Sequence, residues 1–281
     1  MHEHDQRCAA STNPMCRCSR GGALHGSSLP VHAATCAPPQ SQDASSGGRD
    51  HPSQNPTEPS LADVLDADMR QAFCAIRSSL LGRCFYLAGD TGLALQIGHR
   101  RSEDLDYFIH SDRLDRRFVQ REMARAFREG QPKLELSEPT QMDWRVGTAQ
   151  RKLSFIAYPF APVDPFRVVD GQEVASPREI ALMKAYVLGR RATARDYVDL
   201  EALLSSGEVS LAEIVERAKT KFVIDGESVF SQRLFIAQLV WSEDLRDVDE
   251  LVRVGYDPAR FPETMDRLRR IVRCFTEEMC P

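Results

Sequence analysis

Two aspartates, Asp104 and Asp106, stand two residues apart in a run otherwise made of Leu105, Tyr107, Phe108 and Ile109. A period of two puts both carboxylates on one face of a strand and turns Leu105 and Tyr107 into the core behind it. Like charges this close repel each other. The strand is therefore either a solvated end or the lip of a cation site. Oxygen-only ligands of this kind suit Mg²⁺, which is commonly held by one or two carboxylates together with nucleotide phosphates.

The segment before the pair adds a place for those phosphates. Residues 84–88 form a short apolar run stopped by Gly89, and 91–97 read as a short helix. A strand, a glycine turn and a helix N-terminus make an anion cradle, with Thr91 as a further hydroxyl donor. The acid-bearing strand, expected over 104–109, then places a metal site beside that cradle. This juxtaposition is what two-metal phosphoryl or nucleotidyl transfer needs.

Around this centre the periodicity predicts one amphipathic helix over 61–80, capped by Ser60, and another over 113–129. Strands are expected over 133–136, 143–147 and 152–158, the last two as a hairpin. From Ser176-Pro177-Arg178-Glu179, a helix-start signature, the pattern becomes helical, over 177–189, 194–205, 210–220, 228–240 and 262–275. The expected fold class is thus α+β. A small mixed-sheet core with flanking helices, over 59–175, is followed by an all-helical region, over 176–281, that completes the cleft. Residues 1–58, rich in Ser, Pro, Gly and Gln, carry no apolar period and are expected to be a disordered tail.

A net charge of −5 argues against a protein that coats nucleic acid non-specifically. A local basic stripe stands apart from that average: Arg113, Arg117, Arg121, Arg125 and Arg128 recur opposite Val119, Met123, Ala126 and Phe127. It is either a grip for an RNA backbone or acidic partner, or a solvated face relieved by Glu122 and Glu129. No apolar run reaches the roughly 20 residues of a membrane span, and the N-terminus shows no secretory pattern, so a soluble, cytoplasmic protein is expected. Cys8, Cys16, Cys18 and Cys36 crowd beside His2, His4, His25 and His32, but one Cys-x-Cys without a second paired unit is a poor zinc pattern. Cys74, Cys84, Cys274 and Cys280 fall in or beside apolar patterns and read as small core residues.

A second constellation lies far down the chain. Lys184 sits in 180–188, a helix apolar nearly all round, and shares a face with Ile180, Val187 and Leu188. Asp196 and Asp199 share a helix face at i and i+3, with Arg195 expected to turn outward. Asp196 also reads as a first-turn charge that complements the helix dipole. Near the acid pair, Arg100 and Arg101 offer cations and His99 a base or a neutral turn residue.

The run Phe85-Tyr86-Leu87-Ala88-Gly89-Asp90-Thr91-Gly92-Leu93-Ala94-Leu95-Gln96-Ile97-Gly98-His99-Arg100-Arg101-Ser102-Glu103-Asp104-Leu105-Asp106-Tyr107-Phe108 resembles the first motif of the AbiEii/AbiGii-type nucleotidyltransferase toxins. Lys184-Ala185-Tyr186-Val187-Leu188-Gly189-Arg190, then Arg195-Asp196-Tyr197-Val198-Asp199-Leu200, is similar to that family's later motif. The two motifs frame about residues 62–205. The resemblance implies a minimal nucleotidyltransferase that uses an NTP and two Mg²⁺ ions. Asp104 and Asp106 would hold metal, and Gly89, Asp90, Thr91, Arg100 and Lys184 would bind nucleotide. Asp104, Asp106, Lys184, Asp196 and Asp199 would form the catalytic set. It also implies a toxin with a cognate antitoxin and an RNA acceptor such as tRNA. Two departures stand out: position 90 is Asp where the family more often has a second glycine, and the strand 152–156 lacks the third carboxylate of related enzymes. Asp143, Asp196 and Asp199 are the candidates to replace it. These departures keep open an alternative, a nucleotide- or RNA-binding regulatory module with little or no turnover.

Overall fold

The structure, a computed structural model, describes residues 59–128, 130, 132–188 and 190–278. The expected tail, its Cys and His cluster, Glu129 and Cys280 lie outside the described residues.

The helix expected over 61–80 is three helices, α1 (Leu61–Val64), α2 (Ala67–Arg77) and α3 (Leu80–Cys84). The apolar period runs through all three, but the caps interrupt it. The Asp66 carboxylate accepts the Met69 N–H at 2.9 Å, and the Ser79 hydroxyl accepts the Leu81 N–H at 3.1 Å, so each starts a new helix. At Gly82, α3 lies so close to α2 that a β-carbon would come within 2.6 Å of the Ile76 carbonyl.

After α3 come β1 (Tyr86–Ala88), α4 (Gly89–Ile97), β2 (Asp104–His110), α5 (Arg116–Ala126), β3 (Lys133–Ser137), β4 (Gln141–Val146) and β5 (Arg151–Tyr158). β4 and β5 form the expected hairpin. α5 is shorter than expected because Asp115 caps it, accepting from Phe118 N at 3.1 Å, so Arg113 and Arg128 flank the helix.

A second hairpin, β6 (Arg167–Val169) and β7 (Gln172–Val174), follows. Then come α6 (Pro177–Leu188), α7 (Ala194–Ser206), α8 (Leu211–Lys221), β8 (Val223–Ile224), β9 (Glu227–Ser228), α9 (Gln232–Leu239), two 3₁₀ turns and α10 (Phe261–Glu278). The region expected to be all helical thus contains the small β8–β9 hairpin. Residue 228 belongs to it, and α9 starts only after its cap Ser231. Both unexpected hairpins turn on Asp-Gly, at Asp170-Gly171 and Asp225-Gly226. All four residues have positive φ, the backbone that two-residue hairpin turns require.

The main sheet is mixed, in the order β3-β4-β5-β2-β1-β7-β6. β2 is its centre, antiparallel to β1 and parallel to β5. Leu105 and Tyr107 face a fully buried layer, with Tyr107 stacked on Phe155 and Phe85 and Trp144 edge-on to the same ring. The opposite face of β1 and β2 presents Tyr86, Ala88 and Phe108 to a core built mostly from α6 to α10. Asp104 and Asp106 belong to this second face, at the sheet end where that helical layer leaves them half exposed. Cys84 is half-buried and Cys274 exposed, so neither is the core residue expected. Among the described residues, no helix is long and apolar enough to cross a membrane.

Candidate active site

β1 delivers the chain to Gly89, whose φ of +63° is the left-handed backbone that favours glycine. A β-carbon there would lie 3.2 Å from Asp106 Oδ2, so the absent side chain is what lets the turn approach the carboxylate. The turn runs directly into α4, whose first N–H groups have no partner within the helix. Thr91 is buried and its hydroxyl is already engaged, donating to the Asp104 carbonyl and hydrogen-bonded with Ser102 Oγ. It thus ties the start of β2 to the first turn of α4.

Asp104 and Asp106 lie with few counter-charges. Burial, together with the charges of Asp104 and Asp90, pushes the Asp106 carboxyl up to about 6. Burial also raises Asp104. The nearest cation is Arg195, whose Nη1 is 3.7 Å from Asp104 Oδ2 and whose Nε is 4.0 Å from Asp90 Oδ2. Arg195 was expected to face outward. Instead it leans over the acids at the mouth of the site, its side chain 31% exposed.

The other sequence-derived residues converge behind that mouth in one closed network. Lys184 Nζ lies 2.5 Å from Asp90 Oδ1, 3.0 Å from Asp196 Oδ1 and 2.6 Å from Asp199 Oδ2. The Arg100 side chain is fully buried. Its Nε and Nη2 donate to the two Asp199 oxygens at 2.6 and 2.9 Å, and Nη2 also reaches Asp90 Oδ2 at 2.7 Å. His99 Nε2 lies 2.7 Å from Asp199 Oδ1. Asp196 has two duties: one oxygen meets Lys184, while the other accepts from Thr193 N and Oγ1 and caps α7. Asp90 therefore points into the cations, away from the acid pair's open side.

The electrostatics of this network run opposite to those of the acid pair. Burial alone would raise Asp199, but Arg100 and Lys184 overwhelm it and hold the carboxyl well below its ordinary range. Asp90 is likewise lowered by Lys184 and Arg100 against its burial. Lys184 and Arg100 are correspondingly raised by these carboxylates against their own burial.

The register also shows a row that the sequence could not align. Asp106 pairs with Ser154 on β5, and Ser154 pairs with Asp143 on β4, so all three share a face. Ser154 is fully buried beside Asp106, and its hydroxyl partly offsets the upward shift of that carboxyl. Asp143 accepts from Gln141 at 2.9 Å and lies 3.2 Å from Lys152 Nζ. Lys152, which pairs in register with Asp104, is the neighbour that sequence reasoning passed over, and Arg195 the one it turned outward. Alternation along 152–158 marked Lys152 and Ser154 as one face, but only the β2–β5 register brings that face to the acids.

The description "Nucleotidyl transferase AbiEii toxin, Type IV TA system" matches residues 71–269. An uncharacterised protein of Aquifex aeolicus (strain VF5) is 31% identical over 189 residues, covering 65% of this chain and 85% of that protein. MenT4, a nucleotidyltransferase toxin of Mycobacterium tuberculosis H37Rv, superposes with a TM-score of 0.53 at 17% identity, over 73% of this chain and 82% of that one. JHP933 from Helicobacter pylori gives a TM-score of 0.46 at 18% identity, covering 75% and 89%. At its low identity, the likeness to MenT4 is one of fold. With the family's sequence match spanning both motifs, from before β1 to within α10, the chain belongs to the AbiEii nucleotidyltransferase toxin family.

Proposed function

We propose that the chain transfers a nucleoside monophosphate from an NTP to a hydroxyl of RNA, in a Mg²⁺-dependent reaction centred on Asp104 and Asp106. The observation that carries this reading is the acid pair against the Gly89 turn, short of counter-charge, with Asp90, Asp196 and Asp199 neutralised behind it. The residues fit Mg²⁺. Asp104 and Asp106 offer carboxylate oxygens from one face of β2, and the remaining positions would fall to phosphate and water. Bound there, Mg²⁺ would neutralise charge that develops on the phosphates.

The chain's own residues do the rest. The first N–H groups of α4, reached across Gly89, cradle phosphate oxygens, and Thr91 keeps that turn fixed against β2. Arg195, the half-exposed cation at the mouth, swings from Asp104 and Asp90 onto the triphosphate. Lys184 and Arg100 contribute positive potential from beneath and hold Asp90 away from the incoming phosphates. The acceptor oxygen attacks the α-phosphorus, the bond to pyrophosphate breaks, and the acceptor's proton passes to Asp143. That carboxylate lies in the same row as Asp106, one strand beyond the serine that occupies the expected acid position.

The family also supports a cognate antitoxin, with this chain as the toxin. Incubation with α-labelled NTPs, Mg²⁺ and total RNA should give labelled RNA and pyrophosphate. A folded Asp104→Ala/Asp106→Ala variant should give neither, and equal labelling by that variant would refute the reading. Mg²⁺-dependent NTP binding by the wild type without pyrophosphate release would instead support a binding module.

A further inference from the structure

The arginine stripe is unused by the site. Arg113, Arg116, Arg117, Arg121, Arg125 and Arg128 are all exposed, in a chain whose net charge is −5. Residues 111–128 hold six arginines, no lysine and three carboxylates. Of those carboxylates, Asp115 caps α5, and Glu122 is buried between Arg121 and Arg125 at 3.0 and 2.8 Å. Arg116 donates to the Ser137 carbonyl. Arg113, Arg117 and Arg128 have no carboxylate partner among the described residues.

The position of this face is informative. The C-terminal end of α5, with Arg125 and Arg128, shares a cavity with Asp68 and Gln71 of α2 and with Val146 and Gly147 at the end of β4. Val146 pairs with Arg151, the residue before Lys152, and Lys152 pairs with Asp104. Arg125 and Arg128 therefore lie toward the same end of the sheet as the acid pair, on its opposite face, while Arg116 reaches the far end at Ser137.

The chemistry selects the partner. Planar guanidinium forks suit phosphate oxygens, and Arg117, Arg121 and Arg125 recur about every 6 Å along the helix. A protein partner would need an aromatic or aliphatic anchor, and among the described residues no exposed large hydrophobic falls within 111–128, the nearest in the chain being Leu134 on β3. We infer that this arginine face docks the phosphate backbone of the RNA acceptor while the reactive hydroxyl reaches Asp104 and Asp106. The inference rests on the RNA-acceptor reading above.

The test is equilibrium binding of the full chain, without NTP, to a hairpin RNA with a single-stranded 3′ tail across a KCl series. The variants are Arg113→Gln/Arg117→Gln/Arg128→Gln and the matching triple lysine variant. The glutamine triple should lose at least about tenfold in affinity, and its salt slope should fall by about 2 for three lost phosphate contacts. The lysine triple should keep most of the slope, and KM for the NTP should not change in either. Wild-type affinity and slope in the glutamine triple would overturn the inference, as would its unchanged RNA binding with lost binding to a protein. If the wild type binds RNA through these arginines but transfers no nucleotide, the transfer reading fails and the surface stands.

Discussion

The acid pair and the buried network flank the same glycine turn and are made largely of the same residue, aspartate, yet they behave as opposites. In the network, Asp90, Asp196 and Asp199 share Lys184 and Arg100 at hydrogen-bonding distance, and the cations hold Asp90 and Asp199 ionised. In the pair, Asp104 and Asp106 have only Arg195 and Lys152 as nearby cations; burial raises both, helped by the charges of Asp104 and Asp90 on Asp106 and of Asp90 and Glu103 on Asp104. One cluster satisfies itself and builds the fold, whereas the other is left short of positive charge that a ligand must bring. An aspartate's role here is set by its counter-ions, and the pairs that join the two motifs, Asp90 with Lys184 and Asp199 with Arg100, span 94 and 99 residues of chain.

The sharpest break in this comparison is loss of the wrong function from the wrong cluster. Asp199→Ala should strand the buried charges of Lys184 and Arg100 and cost about 3–5 kcal/mol of stability, read as a collapse of the thermal midpoint. Asp104→Ala should instead leave a folded protein and reduce NMP transfer about 10³-fold, equivalent to ~4 kcal/mol of barrier. A stable Asp199→Ala protein, or an unfolded Asp104→Ala protein, would erase the distinction.

A smaller effect follows from the sign of the Asp106 shift. Its folded pKa, about 6, lies above the ordinary carboxylate value of 3.8, so the folded state binds the proton more tightly and the charged form is penalised above both values. Asp106→Asn should therefore stabilise the ligand-free protein, by about 1–2 kcal/mol at pH 8, with the gain shrinking as pH falls through 6 toward 4. Thermal melts across that range check it. Asp199 and Asp90 carry the opposite sign: their stabilisation is present above the ordinary carboxylate range and is lost as pH falls below it.

Asp143→Asn should lower kcat about 10²-fold with little change in KM for the NTP if its carboxylate takes the acceptor proton, and the loss should ease as pH rises. The smallest effect belongs to Arg195→Gln, which should raise KM for the NTP several-fold and change stability by no more than about 0.5 kcal/mol.

Much of this was legible in the sequence because local rules govern it. Period-two alternation placed Asp104 and Asp106 on one face, Ser176 and Pro177 announced α6, and Gly89 marked the turn. The two missed hairpins also had a local signal, Asp-Gly at 170–171 and 225–226, but strands of two or three residues carry too little alternation to display it. The single helix expected over 61–80 failed because an unbroken apolar period hid the caps Asp66 and Ser79. What the sequence could not yield was register and long-range pairing. Arg195 reads as a solvent residue until α7 is set against β2, and Asp143 joins the row only through two strand registers.

The central claim is that the open acid pair, and not the closed network, receives Mg²⁺ and nucleotide. The most direct test is the thermal midpoint of the wild type and of Asp104→Asn/Asp106→Asn, each with and without Mg²⁺ plus a non-hydrolysable NTP. A ligand that binds only the folded state raises its stability by about 2.7 kcal/mol at a hundred times its Kd. The account predicts a rise in the wild type that requires both Mg²⁺ and nucleotide and is absent in the folded double variant; an equal rise in both proteins would contradict it.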